Sequence, residues 1–274
     1  MTGNIKEAQK NLIFLCSMAE GSEKIKKILK SISYQDGFLI QVLHIFELQE
    51  GKNYNKIFII LREPSDRSFN LWKMMLREGF EYIDDFELAL SAEPRRFFST
   101  EQRKLYCPIY EYLYIKSSMH FENVKKIIDV FGKKNFFDPE KTKIIIAEEI
   151  SKDEELNEKI IEFLTPDEKE YQQKNLLKRK INLKIKDIKP EYDVIPFNSK
   201  AQYILRAIEE EIKKMRRDNQ EILPIKVLKK INLMLGKKIQ THWCIDFLKY
   251  IFKKEVEKLS EILKKDLITL WGYR

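Results

Sequence analysis

Glycine and proline are scarce in this chain, with 8 of each among 274 residues. That scarcity excludes a linker-like or collagen-like protein and favours regular helix and strand. Cysteine is scarcer still. Cys16, Cys107 and Cys244 lie far apart with no Cys-x-x-Cys spacing, so neither a zinc ribbon nor a redox pair is expected. An odd set of separated thiols suits a reducing, cytoplasmic compartment. The histidines His44, His120 and His242 form no His-x-His or His-x-x-x-His set, so no metal ligand set or cofactor is expected from them. Apolar runs stay well short of the ~20 residues of a membrane span. The opening Met-Thr-Gly-Asn-Ile-Lys-Glu lacks the layout of a secretory signal. The expectation is a cytoplasmic protein with no membrane partner.

What the chain does have is apolar material and an uneven charge. It is 43% hydrophobic, with 17 Phe and 12 Tyr, enough to build cores and to exclude global disorder. The formal net charge is +8. It divides as +1 over residues 1–150, −5 over 151–170 and +12 over 171–274. A basic excess gathered in one segment suits a polyanionic partner. Lysines that only solvate a surface would show no such gradient.

The length suits two parts, since single domains usually run about 100–150 residues. The first, residues 1–150, is expected to be an α/β domain for association or sensing. Asn11–Cys16, Phe38–Leu48 and Lys56–Leu61 are β-rich apolar runs. Helices are expected from Ser22 to Ile32 and from Pro64 to Arg77, the second closed by Gly79. Tyr82–Ala92 alternates Phe86, Leu88 and Leu90 like a strand. The order βαββαβ fits a mixed sheet, either ferredoxin-like or an extended sandwich. Ile109–Ile115 is expected to add a strand, Asn123–Phe131 a helix and Lys143–Ala147 a last strand.

Residues 151–198 are expected to be a linker of helix and strand. Within it Ile181, Leu183 and Ile185 alternate with Asn182, Lys184 and Lys186, a half-exposed strand. Residues 199–274 are expected to form a basic, mainly helical domain with a helix-turn-helix-like module. Ser199 and Gln202 have capping-box spacing. Pro224 opens a second helix with the stripe Ile225, Leu228, Ile231 and Leu235, and Gly236 supplies a left-handed stop. Thr241 caps a third helix from His242. Laid in a major groove, that helix would present Gln240, Thr241, His242, Asp246 and Lys249. Lys226, Lys229, Lys230, Lys237 and Lys238 would meet phosphates near the turn. Val256, Leu259, Leu263 and Leu267 make a seam for a homodimer or for packing within the chain.

The leading expectation is therefore a non-catalytic protein that binds double-stranded DNA, as a regulator or a replication or partition factor. A protein–protein interaction factor without nucleic acid is the second. A third comes from Tyr82-Ile83-Asp84-Asp85. This Tyr-x-Asp-Asp resembles the metal-binding hairpin of reverse-transcriptase-type polymerase palms, which implies a metal-dependent nuclease or polymerase using Asp84 and Asp85. Such a palm also needs an Asp on an earlier strand, and neither Leu12–Cys16 nor Lys56–Leu61 carries one. Finally, Ala19-Glu20-Gly21-Ser22 follows the first strand where α/β folds hold phosphates at a helix N-terminus. One glycine stands there, without Gly-x-Gly-x-x-Gly or a Walker-type lysine.

Overall fold

The computed structural model describes residues 10–15, 38–43, 56–98, 112–164, 192, 194–216, 222–239 and 243–273. Among them the strands are β1 Lys10–Leu15, β2 Phe38–Leu43, β3 Lys56–Leu61, β4 Thr142–Ile146, β5 Val194–Ile195 and β6 Lys237–Lys238. The helices are α1 Pro64–Glu78, α2 Phe86–Ser91, α3 Glu93–Phe98, α4 His120–Phe131, α5 Lys133–Phe136 and α6 Asp153–Leu164. They continue with α7 Ser199–Arg216, α8 Leu223–Met234, α9 Cys244–Leu263 and α10 Leu267–Leu270. Short 3-10 turns occupy Lys116–Ser118 and Ala147–Glu149. The chain forms two units, one of residues 1–63 with 121–190 and one of residues 64–120 with 191–274.

In the first unit, four parallel strands lie in the order β2-β1-β3-β4. Parallel strands are buried on both faces and read as unbroken apolar runs. β3 (Lys-Ile-Phe-Ile-Ile-Leu) is such a run, and Ile57 to Leu61 are all buried. Register places Leu15 opposite both Leu43 and Ile59, and Leu61 opposite Ile146. α6 is fixed to β3 by Lys56, whose ammonium donates to the Phe163 carbonyl at 2.8 Å and lies 5.0 Å from the Phe163 ring centroid. Its first turn holds Asp153, Glu154 and Glu155, where the helix dipole favours negative charge.

This sheet corrects the expected fold class. A ferredoxin-like or mixed sheet needs antiparallel neighbours, and the four strands are all parallel. The segment read as the strand Tyr82–Ala92 is helical at Phe86–Ser91. Phe86, Ala89 and Leu90 are buried, while Leu88 is 60% exposed. That is spacing of three and four, not two. The strand expected over Ile109–Ile115 is replaced, in its described part, by turn and 3-10 backbone. The helix Ser22–Ile32 and the strand Ile181–Lys186 lie outside the described residues.

In the second unit, α1 is the central element. It packs against α7, α9 and β5, and nearly every residue from Pro64 to Leu76 is buried. A helix enclosed on all sides must satisfy its own polar groups. Arg67 donates to Ser117 Oγ at 3.0 Å and to Ser118 Oγ at 2.7 Å. Ser68 Oγ meets the Pro64 and Tyr114 carbonyls and Ser118 Oγ within 2.9 Å. Asn70 Nδ2 donates to the Asp66 carboxylate and carbonyl.

α9 lays Cys244, Leu248, Phe252, Val256 and Leu259 inward, four and three residues apart. Two members of the proposed dimer seam, Val256 and Leu259, are thus core residues of this unit, and Leu267 is also fully buried. α7 is capped by Asn198, whose Oδ1 accepts the Ala201 N–H at 2.9 Å. The expected capping residue, Ser199, lies one position further on. Gln202 serves instead as a tie, donating to the Arg77 carbonyl at 2.8 Å and accepting from Asn232 at 3.0 Å.

Two glycines are required where these elements meet. Gly79 ends α1 with φ +76°, and a Cβ there would stand 2.6 Å from the Gln202 carbonyl oxygen. Gly236 does not take the left-handed conformation expected of it, since the positive-φ glycines are Gly79, Gly132 and Gly272. Its reason is space: a Cβ would come within 2.1 Å of the Ile195 carbonyl oxygen across the β5–β6 pair.

Candidate functional site

Four parallel strands bring Leu15, Leu43, Leu61 and Ile146 to one edge of the sheet. β1 has β2 on one side and β3 on the other, so the strand order reverses there. Crevices outside the carboxyl ends at such a reversal are where open α/β sheets hold ligands. Arg62 leaves β3 at this edge and is fully buried. Glu63 follows it, and its N–H donates to Glu148 Oε1 at 3.2 Å. Glu148 belongs to the 3-10 turn that follows β4. The carboxylate therefore latches the exit of β3 to the exit of β4 and fixes the backbone that carries Arg62.

A guanidinium presents five N–H donors in a planar fork. Burying one costs several kcal/mol unless acceptors or anions engage it. Carboxylate, phosphate and sulfate match that fork two oxygens at a time. Arg62 thus places a buried, permanently charged residue at the carboxyl end of β3, beside the switch point. Sequence reasoning missed it. The available signal was a charged pair, Arg62-Glu63, directly at the end of the clearest apolar strand. Ala19-Glu20-Gly21-Ser22, four to seven residues beyond β1, lies outside the described residues.

The second unit holds a buried charged group of another kind. Glu81 is fully buried. Its Oε1 accepts the Tyr82 and Ile83 N–H groups at 2.9 and 3.0 Å, and its Oε2 accepts the Tyr114 hydroxyl at 2.8 Å. Arg96 Nη2 completes the shell at 2.7 Å from Oε2. Burial and the neighbouring Glu81 charge raise the Tyr114 hydroxyl well above its ordinary pKa, so it stays a neutral donor. Each of these groups points at the others, which is the geometry of a structural clamp.

Among the described residues, those expected to form a DNA interface do not assemble into one. In a helix-turn-helix the third helix packs with the two before it. Here α9 packs on α1, and β6 pairs with β5 in the connection from α8 to α9. Of the α8 stripe only Ile225 is buried, while Leu228, Ile231 and Leu235 are exposed. Lys226 and Lys230 are exposed on α8, as are Lys237 and Lys238 on β6. Lys229 is engaged by the Glu209 carboxylate. Burial pushes the Glu209 carboxyl up, and Lys229 and Lys213 outweigh it, leaving the group below its ordinary value. Lys249 lies 5.9 Å from the Tyr273 ring centroid. Gln240, Thr241 and His242 lie outside the described residues. The DNA-binding, helix-turn-helix assignment is corrected on this geometry.

The polymerase-like alternative is corrected as well. Asp84 and Asp85 lie not on a hairpin but in an exposed loop that leads into α2. Asp85 is the N-cap of α2, its carboxylate accepting the Leu88 N–H at 3.0 Å. No cluster of three or more metal-ligating side chains occurs among the described residues. Of the histidines, His120 is buried with its ring 6.2 Å from that of Trp271, while His44 and His242 are not described. Burial pushes the Cys244 thiol up, and the charges of Glu87 and Asp85 add to it. This is the reverse of nucleophile activation. No helix among the described residues is long and apolar enough to cross a membrane.

No family model matches the chain, and no curated protein matches it. Among solved structures, the chain is similar to the crystal structure of a sulfotransferase from Alicyclobacillus acidocaldarius, at 17% identity and a TM-score of 0.37. The likeness covers 79% of this chain, which spans 57% of the length of that structure.

Proposed function

We propose that the chain binds a nucleotide through its phosphate groups at the carboxyl edge of the parallel sheet, as an enzyme that transfers an anionic group carried by that nucleotide. The observation that carries this proposal is the reversal of strand order at β1 in an all-parallel sheet, with the exits of β3 and β4 tied by the Glu63 N–H to Glu148 bond and Arg62 placed at the same edge. A pre-placed guanidinium in a water-poor site stabilises charge on a transferring phosphoryl or sulfuryl group. Sulfuryl transfer, the activity for which the similar crystal structure is named, is the first member of this class to assay. A cytoplasmic setting, where nucleotides are abundant, agrees with three scattered thiols.

The test is a calorimetric titration of ADP into the purified chain and into R62K and R62M. Losing one charge-assisted bidentate contact is expected to weaken binding roughly 10- to 150-fold in R62M. R62K keeps the charge but not the fork, and its expected loss is smaller. Circular dichroism of each variant separates a binding defect from an unfolded chain. Wild-type affinity in a folded R62M would end the proposal.

A further inference from the structure

α7 and α8 form an antiparallel pair with a polar seam. Asn232 Nδ2 donates to Gln202 Oε1 at 3.0 Å, and the Lys229 ammonium meets the Glu209 carboxylate. Ile225 is the buried apolar residue of α8, yet the opposite face of that helix is apolar as well. There Val227, Leu228, Ile231, Met234 and the C-cap Leu235 recur three and four residues apart. Across the seam, α7 presents Ile204, Ile208 and Met215, four and seven apart. All are exposed, from 45% at Ile208 to 76% at Met234. At ~100° per residue, Leu205 and Ile212 of α7 fall on the same side of the seam as Leu228 and Leu235 of α8. The half-buried Leu205 and Ile212 therefore floor a valley that joins the two stripes into one surface. Single exposed apolar residues are ordinary, but a contiguous face is not. This one exposes on the order of 1,000 Å², above the ~300–600 Å² of the largest patch on a typical monomer and near the ~800 Å² per partner of a standard interface.

The rim of this face carries charge of one sign. Lys200, Arg216, Lys230, Lys237 and Lys238 are exposed on α7, α8 and β6. The exposed acid of these elements among the described residues, Glu211, is engaged by Lys214 at 2.7 Å. An apolar face inside a basic rim discriminates between occupants. A second copy of the chain would bring two basic rims together, and like charges oppose association. Membrane interfaces are gripped by Trp and Tyr, whereas these stripes hold only Ile, Leu, Val and Met. A helix with an apolar stripe and acidic flanks satisfies both features. Its stripe enters the valley at i, i+3, i+4 and i+7, and its carboxylates reach the rim cations. Met215 and Met234, at the ends of the two stripes, are flexible enough to adapt to the side chains of a partner.

We propose that the outward face of the α7–α8 pair, centred on Ile208, Leu228 and Ile231, docks an acidic amphipathic helix of a partner protein. The 12 residues of α8 accommodate such a helix over its length, about three turns. All of these residues lie in the second unit, so the proposal stands apart from the nucleotide site.

The test uses the full chain and a labelled peptide of about four turns, with leucine at i, i+3, i+4 and i+7, alanine beside them and glutamate on both flanks. A twin peptide carries lysine in place of each glutamate. Fluorescence anisotropy is expected to give a Kd of about 10 μM for the acidic peptide and a value at least roughly tenfold weaker for the twin. Rising salt is expected to weaken the acidic peptide. I231E puts a like charge at the centre of the face, on the side away from Ile225, and is expected to abolish binding. K230E with K237E keeps the apolar face, and is expected to weaken the acidic peptide roughly tenfold while strengthening the twin. That variant decides the matter should I231E not fold, as read by circular dichroism. No binding of the acidic peptide, equal binding of the two peptides, or unchanged binding in a folded I231E would each overturn the proposal. So would a wild-type dimer in sedimentation that I231E dissolves, or binding to phosphatidylserine vesicles without binding to the acidic peptide.

Discussion

Replacing Arg96 with alanine is expected to destabilise the protein by about 3–5 kcal/mol, because a buried carboxylate then loses its countercharge. Glu81 is fully buried, and its shell is complete only with the Arg96 guanidinium. The Tyr82, Ile83 and Tyr114 donors would remain, but all of them are neutral. The guanidinium also lies 5.4 Å from the Tyr112 ring centroid, and Tyr112 in turn donates to the Phe80 carbonyl at 2.9 Å. Its loss therefore opens packing as well as charge. The measurement is urea unfolding followed by far-ultraviolet dichroism, comparing R96A with the wild type. A second variant isolates the electrostatics: R96M with E81Q removes both charges and is expected to cost less than R96A alone. The coupling between those two sites should exceed roughly 1 kcal/mol in a double-mutant cycle. If R96A unfolds within about 0.5 kcal/mol of the wild type, the clamp is not a stabilising element.

Trp72→Ala is expected to cost a similar amount, about 3–5 kcal/mol, through a different cause. Trp72 is 1% exposed at the middle of α1. Its ring lies 5.6 Å from that of Phe69 and 5.1 Å from that of Phe86. Removing the indole leaves a cavity between the helix that organises the second unit and the short α2. It also strands the Ile83 carbonyl, which accepts the indole N–H at 2.9 Å. Trp72→Phe refills most of the volume but cannot donate, so its cost is expected near that of one lost buried hydrogen bond, about 1–2 kcal/mol. Near-ultraviolet dichroism should fall with W72A while helix content persists in whatever fraction stays folded. A W72A protein as stable as W72F would show that the space collapses without penalty.

Local pattern made part of this fold legible. The run Lys56–Leu61 is β3 with both bounds as expected, and Pro64 opens α1 as a proline at a first helical position should. What local pattern could not supply was pairing. β3 meets β4 through Ile57 and Thr142, and nothing within either segment encodes that partner or its parallel sense. Tyr82–Ala92 went wrong for a definable reason. Leu88 and Leu90 mimic alternation, while the helix is set by the Asp85 cap and by the burial of Ala89, a residue that alternation ignores.

The candidate site was less legible than the fold. A basic C-terminal segment drew attention because charge is countable along a sequence. Pairing across the chain is not countable, and Lys229 turns out to serve Glu209 twenty residues earlier. Arg62 stood in plain view, yet its burial and its place beside a strand reversal exist only once β1 and β3 are neighbours. Glu148 is further removed still, since its role depends on β4 joining the same edge.

Hydrogen–deuterium exchange of the full chain, with and without saturating ADP, tests the central claim most directly. The nucleotide site at the carboxyl edge predicts slower exchange in peptides spanning 61–64 and 146–149, with residues 223–239 unchanged. Protection confined to 223–239, or no protection at a concentration that calorimetry shows to be saturating, would contradict it.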